Sequence, residues 1–591
     1  MKAASLACLL LLLTNTVVAA SDSHSSPARA EPETFQAPPA SPVATQPTLR
    51  LKPATAAARS ASAASSTPAN AITLPALTDS EIQSLQNASN EKAYRAGIGR
   101  NLPDSLSQPI DLGSWQWTPV SGGKVAHYSL TSTGAARVRA QVLLGKAPAG
   151  VELRFYAPSD TATVFGPYTE SAEPFWSPTV TGETLGMELF LPDGVTASDV
   201  ALSVPRLSHL VVDPASSQMK SNPNIYKSAD YASCQVDLAC ASAAWQETGK
   251  SVARYVFTDS NGASYLCSGT VLADQDPYTQ VPYFFTASHC VDNQLSASSM
   301  DLFWLYSNPT CGGSGASAVQ TSGGAQLLMT KTTLDTTLLR LNNNPPAGVT
   351  MSGWTTTPLT ENQEVVGIHH ALGYPKKYAQ GKFQAHARLS LSNGGYTIIA
   401  DPNGDFSKVV WSTGITAPGS SGSGIWVEQN GTRYLNGTLL GGSSDCSNTS
   451  APDEYSRFES TWPYISTWLG AAGSPPSLRL IDSGKPAAAL VEGVIINRYL
   501  QGTRGTQLLD GVTSQTPDIA TLESRLASVM QIMDIDNDGS KDASKDGVLL
   551  LRYLIGLRGA PLLQGLDVSA SGRNTPSAVA AYLNPVLNAS N

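Results

Sequence analysis

Apolar and polar positions alternate along much of the first third of the chain. Arg137-Val138-Arg139-Ala140-Gln141-Val142-Leu143-Leu144, Val151-Glu152-Leu153-Arg154-Phe155 and Met187-Glu188-Leu189-Phe190-Leu191 all follow this rule between Gly and Pro turns. A period of two predicts half-buried strands. With a helical stretch over Asp79 to Arg95 before them, they predict a small β-sandwich within 72–227. Further on come short apolar runs. Phe284-Phe285-Thr286-Ala287 reads as a strand running into Ser288-His289-Cys290, and Leu334-Asp335-Thr336-Thr337-Leu338-Leu339-Arg340-Leu341 puts an Asp at the head of a buried strand. The last part turns helical: Glu492-Gly493-Val494-Ile495-Ile496-Asn497-Arg498-Tyr499-Leu500 recurs 54 residues later as Asp546-Gly547-Val548-Leu549-Leu550-Leu551-Arg552-Tyr553-Leu554. Each copy predicts an amphipathic helix with a Gly stop. Two stretches lack a pattern. Residues 21–71, rich in Ala, Ser, Pro and Thr, are expected to be a disordered linker, and 471–478 a second linker.

The extreme N-terminus changes the setting. Lys2, an apolar run to Leu13 and Val18-Ala19-Ala20 predict a signal peptide over 1–20, cut after Ala20. The run is too short to span a bilayer, so a secreted, extracellular, monomeric protein with no transmembrane segment is expected. Only 14% of the 591 residues are charged and the net charge is −9, which argues against nucleic acid as a partner. Of the seven cysteines, Cys8 falls in the signal peptide, and the others lie between Cys234 and Cys446. An even number confined to one exported region means disulfides rather than metal ligands, with the pairing left open.

Candidate chemistry centres on Ala417-Pro418-Gly419-Ser420-Ser421-Gly422-Ser423-Gly424. A serine is a poor nucleophile until a base takes its proton and amides stabilise the oxyanion. Ser421 would attack, His289 would be the base, Asp335 would hold its imidazole, and the amides of Gly419 and Ser421 would be the oxyanion donors. Each signal alone has a bland alternative: a Gly/Ser turn, a packed His, a turn Asp. Together, in the order His, Asp, Ser, they predict a serine protease acting on polypeptide substrates, with no cofactor needed for catalysis. The competing readings are an inactive protease-fold binding or adhesion protein, and a serine protease with a non-basic P1 preference.

The Cys-x5-Cys opening at Cys234 and Cys240, Thr286-Ala287-Ser288-His289-Cys290, Asp335-x-x-Leu338-Leu339-x-Leu341, Gly367-Ile368-His369-His370 and Pro418-Gly419-Ser420-Ser421-Gly422-Ser423 carry a resemblance. From Cys234 to about Leu469 the chain resembles bacterial lysyl endopeptidases of the trypsin-like group. The resemblance implies a mainly β, chymotrypsin-like protease domain at 228–470, built as two six-stranded β-barrels, with the β-sandwich before it acting as a propeptide. It also implies the disulfides Cys234–Cys446, Cys240–Cys311 and Cys267–Cys290, and release of the propeptide of this zymogen after Lys227. Asp453 would lie at the bottom of the S1 pocket, with Glu454 and Asp445 as rivals, and would select a cationic side chain. Trp411 matches the family's subsite Trp. The family's subsite His, before Gly441, is Leu440 here, a departure that opens the specificity to arginine as well as lysine. Ser420 stands where trypsin-like zymogens carry an Asp that pairs with the new N-terminus, so that ion pair cannot form. His369 and His370 should be structural, with one facing inward. A permanent accessory domain, for carbohydrate for example, is the alternative to a propeptide.

The tail, 479–591, should be a small α-helical domain. Asp534-Ile535-Asp536-Asn537-Asp538-Gly539-Ser540-Lys541-Asp542 has the oxygen spacing of an EF-hand calcium loop, with Asp546 as the final acid because position twelve is Lys545. The duplicated loop and helix resemble a dockerin, which implies Ca2+ and a cohesin-like or cell-surface partner. The first loop keeps only Asp482. The alternative is an acidic turn without metal.

Overall fold

The computed structural model describes residues 27–35, 49–50, 70–87, 93–171, 173–215, 233–275, 280–392, 395–470, 478–481, 487–513, 515–536, 538, 540–569, 571 and 573–588. Ala20 and Lys227, the expected processing positions, lie outside these residues, as do Asp482 and Gly539 of the tail loops.

The N-terminal domain is a two-layer β-sandwich. One sheet runs in the order Ala71–Leu74, Gly123–Ser132, Thr184–Pro192, Glu152–Ala157, Asp160–Tyr168. The other contains Arg137–Lys146, Ala201–Leu210 and Tyr94–Asn101. Alternation places Val138, Ala140, Val142 and Leu144 against Leu153, Phe155, Leu185 and Leu189 in one core. The start of the opposite face, polar in sequence, is covered. Arg137 and Arg139 are buried. Arg139 Nε donates to Ser177 O at 2.9 Å and its guanidinium lies 3.9 Å from Asp301. Arg137 donates to Gln320 Oε1 at 2.6 Å. Asp301 and Gln320 belong to the protease domain, so this charged face is an interface between domains.

The two domains also share a sheet. The strand Tyr94–Asn101 pairs antiparallel with Ser264–Leu272 of the protease domain, with Gly97 opposite Ser264 and Tyr94 opposite Leu266. A single twelve-stranded sheet therefore crosses the boundary.

The protease domain is mainly β and chymotrypsin-like. Its C-terminal half closes into a six-stranded barrel: Thr432–Gly442, Gly424–Gln429, Glu364–His369, Lys377–Ser392, Phe406–Thr413 and Asp453–Arg457, the last pairing back to the first. The N-terminal half, expected as a second closed barrel, is open among the described residues. Ala325–Lys331, Thr336–Leu341, Tyr283–Thr286, Ser264–Leu272, Val252–Thr258 and Asp301–Trp304 pair in series, but the free edge of Asp301–Trp304 is taken by Val319–Thr321 rather than by Ala325–Lys331. The helix Phe458–Leu469 packs on the joint between the halves, with Trp354 and Trp462 at 4.6 Å. The three disulfides are Cys234–Cys446, Cys240–Cys311 and Cys267–Cys290, as the resemblance implied.

The expected linker 21–71 is not free of structure. Arg29–Ala30 and Glu33–Thr34 are strands on the protease domain, antiparallel to Trp354–Thr355 and Thr350–Met351. The tail has its own helical core, containing Ile495, Ile496, Leu549 and Leu550. The sequence repeat is also a structural one: Arg498 caps Leu508 O as Arg552 caps Leu562 O, and Arg504 stacks on Tyr499 as Arg558 does on Tyr553.

Candidate active site

His289 follows the buried strand Tyr283–Thr286. Asp335, with φ 51°, heads the strand Thr336–Leu341, which pairs with it. This pairing brings the two residues together. His289 Nδ1 lies 2.8 Å from Asp335 Oδ2. Asp335 Oδ1 accepts the His289 amide at 2.9 Å and the Ser288 hydroxyl at 3.0 Å. A carboxylate held by three donors fixes the ring, and its contact with Nδ1 places the proton there. Nε2 has no hydrogen-bond partner among the described residues, so its lone pair is unused. The Cys267–Cys290 bridge ties the residue after His289 to the neighbouring strand.

Ser421 is buried on the loop between Thr413 and Gly424. Its carbonyl accepts the Ser268 amide at 2.9 Å. Gly422, at φ 80°, passes so close to the strand before His289 that a Cβ would lie 2.1 Å from Thr286 Oγ1 and 2.9 Å from Ala287 N. Glycine is required here both for the turn and for the approach. The Ser421 loop and the His289 segment thus share one seam, along Ser268, Thr286 and Ala287.

The amides expected to hold the oxyanion lie in a loop fixed by its neighbours. The Pro418 carbonyl accepts from Leu372 N at 2.7 Å. In a trans peptide the N–H points opposite the C=O, so the Gly419 amide faces away from Leu372. The Gly419 carbonyl accepts from Ser268 Oγ at 2.9 Å. Ser420 is fully buried, its Oγ accepting from Ala417 N at 3.1 Å and lying 2.8 Å from His369 Nδ1. Burial, then Lys377, lowers the His369 pKa to about 3, so this is a neutral pair. It stands where an ion pair would lock the loop of a trypsin-like enzyme. His370 is buried too, with Nδ1 3.0 Å from Tyr374 O. The expectation of one inward histidine is corrected: the strand Glu364–His369 ends there, His370 turns off at ψ 67°, and alternation no longer applies.

Asp453 starts the last barrel strand and is fully buried. Its Oδ2 accepts from Trp411 Nε1 at 2.6 Å, Thr416 Oγ1 at 2.7 Å and Ser444 Oγ at 2.8 Å, and its Oδ1 from Ser444 N at 3.2 Å. Thr416 leads into the Ser421 loop, and Ser444 follows the strand Thr432–Gly442. Two chain segments therefore converge on this carboxylate. Burial raises its pKa and the four donors hold it partly down. Glu454, next to it, is raised to about 7 by burial and by the Asp453 charge. Asp445, the other rival, caps its own turn by accepting from Ser447 N at 2.7 Å.

Trp411 is a core residue between Gly367 and Gly381, and acts on the site through its indole N–H. Leu440 packs with Ala387 and Phe406, and Gly441 pairs with Glu454. The roles of Ser268, Thr416 and Ser444 carry no motif in the sequence, and only the fold brings them in.

In the tail, carboxylate oxygens of Asp534, Asp536 and Asp538 lie within 4.8 Å of one another. Lys545 enters this group, with Nζ bonded to Asp538 and 3.8 Å from Asp536. Asp546 turns to the loop backbone, accepting from Ile535 N at 2.7 Å and Asp542 N at 2.9 Å. Asp542 accepts from Lys545 N at 2.6 Å, and Ser540 is exposed. Three converging carboxylates suit a divalent cation provided that Lys545 withdraws.

Comparison with known proteins bears on the whole assembly. Residues 228–456 match the family described as Lysyl endopeptidase, C-terminal domain, and 73–211 match Lysyl endopeptidase N-terminal domain. A lysyl endopeptidase of Pseudomonas aeruginosa is 32% identical over 396 residues, covering 64% of this chain and 81% of that protein. Among solved structures, the active form of the Rv3671c protease from M. tuberculosis is 13% identical, covering 39% of this chain and 85% of that one, with a TM-score of 0.27. The MamO protease domain from Magnetospirillum magneticum is 13% identical, covering 37% of this chain and 96% of that one, with a TM-score of 0.25.

Proposed function

The chain belongs to the lysyl endopeptidase family and is a serine endopeptidase, and from that premise we propose that it is secreted and cuts polypeptides after Lys, and after Arg, through Ser421, His289 and Asp335. His289 Nε2 takes the Ser421 hydroxyl proton as Oγ adds to the scissile carbonyl. The amides of Gly419 and Ser421 hold the oxyanion, and His289 returns the proton to the leaving amine. Water then repeats the sequence on the acyl-enzyme. Asp335 keeps the ring oriented and balances its charge when Nε2 is protonated.

The observation that carries the P1 preference is Asp453, a buried carboxylate whose hydrogen-bond partners are an indole, two hydroxyls and an amide. No cation neutralises it among these four. A substrate ammonium or guanidinium entering between the 416–421 and 441–444 segments would complete the pair. Digestion of a peptide library tests this. Cuts after Lys and Arg are expected, and a library cut mainly after apolar or acidic residues would refute the assignment.

The N-terminal domain serves as a propeptide, removed by a cut after Lys227, and residues 1–20 as the signal peptide. Intact mass and N-terminal sequence of the secreted protein should give a start at Ser228, and the Ser421→Ala variant should keep its N-terminal domain. The tail takes Ca2+ at Asp534, Asp536 and Asp538, with loop oxygens nearby, and offers a dockerin-like face to a cohesin-like or cell-surface partner. Calcium titration of the full chain checks the first of these.

A further inference from the structure

Residues 27–35 lie outside both family matches, yet they bind the protease domain along a continuous track. Arg29 and Ala30 sit opposite Thr355 and Trp354, and Glu33 and Thr34 opposite Met351 and Thr350. The Phe35 amide donates to Val349 O, and the Thr356 amide to Ala28 O, each at 2.9 Å. Ala30 and Phe35 are each 4% exposed and join the main core of the protease domain.

The receiving surface is built for an extended chain. Trp354–Thr355 pairs in parallel with Thr432–Gly442 on one side, and Arg29–Ala30 adds an edge strand on the other. Gln275 Nε2 donates to Arg29 O at 2.9 Å and Gln280 Nε2 to Thr34 O at 3.0 Å. Tyr434 donates to Glu31 at 2.7 Å. Gln275 and Gln280 belong to the N-terminal half of the protease domain and Tyr434 to the C-terminal barrel, so the segment straps the two halves together. Gly353 has no room for a side chain. The three atoms nearest its missing Cβ are Ala30 O at 2.6 Å and two Pro32 atoms at 2.7 Å, all from the strap.

Farther along the chain, Arg50 is anchored on the N-terminal domain. The Arg50 amide lies 3.0 Å from both Glu188 oxygens, its guanidinium reaches Glu152 at 2.9 Å, and it stacks 3.8 Å over Phe190. One stretch of chain therefore joins both domains without passing through 216–232.

We propose that the seam 349–356 is a peptide-docking edge whose occupant is the strap 27–35 of the chain's own N-terminal domain, and that the strap retains that domain on the protease after the boundary is cut. The recognition is strand addition, with backbone pairing for affinity and the Ala30 and Phe35 pockets for register. This extends the propeptide reading above. Maturation then needs the cut at the boundary and release of the strap, in addition to parting of the shared sheet.

The test uses the full-length Ser421→Ala chain carrying an inserted site for a sequence-specific protease within 216–232, nicked there and diluted before size exclusion and native mass measurement. The two fragments should co-elute. Gly353→Ala in the same background should raise the apparent dissociation constant about tenfold or more, and Phe35→Asp should act likewise. Hydrogen exchange on the uncut chain supplies a second readout. Gly353→Ala should unprotect 349–356 and leave 264–272 unchanged, which also shows that the domain remains folded. Immediate separation of the parent fragments, or equal retention and equal protection in Gly353→Ala, would overturn the proposal. Because an added protease makes the nick, failure of the wild type to cut its own boundary would sink the autoprocessing reading and leave this result standing.

Discussion

The buried acids Asp453 and Glu454 and the acidic loop of the tail both gather carboxylate charge, and they treat it in opposite ways. Around Asp453 the partners are neutral donors: Trp411, Thr416 and Ser444. In the tail a cation is already present, because Lys545 reaches both Asp536 and Asp538. A buried carboxylate whose partners are all neutral dipoles lacks a counter-charge, and so favours a foreign cation. One that has drawn in its own ammonium must lose that contact before it accepts another. The number of acids says little about cation binding, and what the protein has already placed beside them says more.

The largest effect expected comes from removing the open charge. Asp453→Asn should lower kcat/KM for a lysyl substrate about a thousandfold, from loss of a buried charge pair. Steady-state kinetics on matched Lys and Leu substrates would show it, and an Asn variant that still prefers Lys would erase the contrast. Next is removal of the resident cation: Lys545→Glu should raise Ca2+ affinity about tenfold or more by adding a ligand charge, as read by calorimetry. Unchanged affinity would mean that Lys545 does not compete. A smaller change is expected from Trp411→Phe, which deletes one of three donors to Asp453 Oδ2. Donors lower a carboxyl pKa, so losing one raises it further, and the acid limb of kcat/KM should move to higher pH. The loss should be about 1–2 kcal/mol in transition-state stabilisation.

The smallest concerns Glu454. Its folded pKa, about 7, lies above the ordinary 4.5. The neutral carboxyl is therefore favoured by folding, its contribution being full below about 4.5 and lost as pH rises through about 7. Glu454→Gln should flatten that fall in stability, by about 1–2 kcal/mol between pH 5 and 8, as followed by urea unfolding. Equal slopes for both proteins would show that the charge is accommodated elsewhere.

Much of the site was legible because its signals are local. Ala-Ser-His-Cys after an apolar strand, an Asp at a strand head and a Gly-flanked Ser are each contiguous. What was hidden depends on register and on long-range pairing. Trp411 looks like a subsite residue by motif, but the strand paired with its own, Lys377–Ser392, carries register shifts between Gln380 and Gly381 and between Phe383 and Ala385, and its ring packs in the core while its N–H reaches Asp453. A bulge between Leu439 and Gly441 similarly sets where Leu440 points. Arg137 and Arg139 alternate like solvent-facing residues, and nothing in the N-terminal domain alone reveals the surface that covers them. The strap escaped notice because two-residue strands have no period, and Phe35 is its lone large apolar residue.

The strand Tyr94–Asn101 occupies the edge of Ser264–Leu272, the strand that carries Cys267 and Ser268. Under the propeptide proposal, this strand is a template for the protease domain that the matured enzyme does not keep. Once that template has gone, an unfolded enzyme has lost the edge on which its central sheet was ordered. Its durability then becomes a matter of rate rather than equilibrium. Thermal inactivation of the matured enzyme should depend on scan rate and should not reverse on cooling, whereas the uncut Ser421→Ala chain should refold.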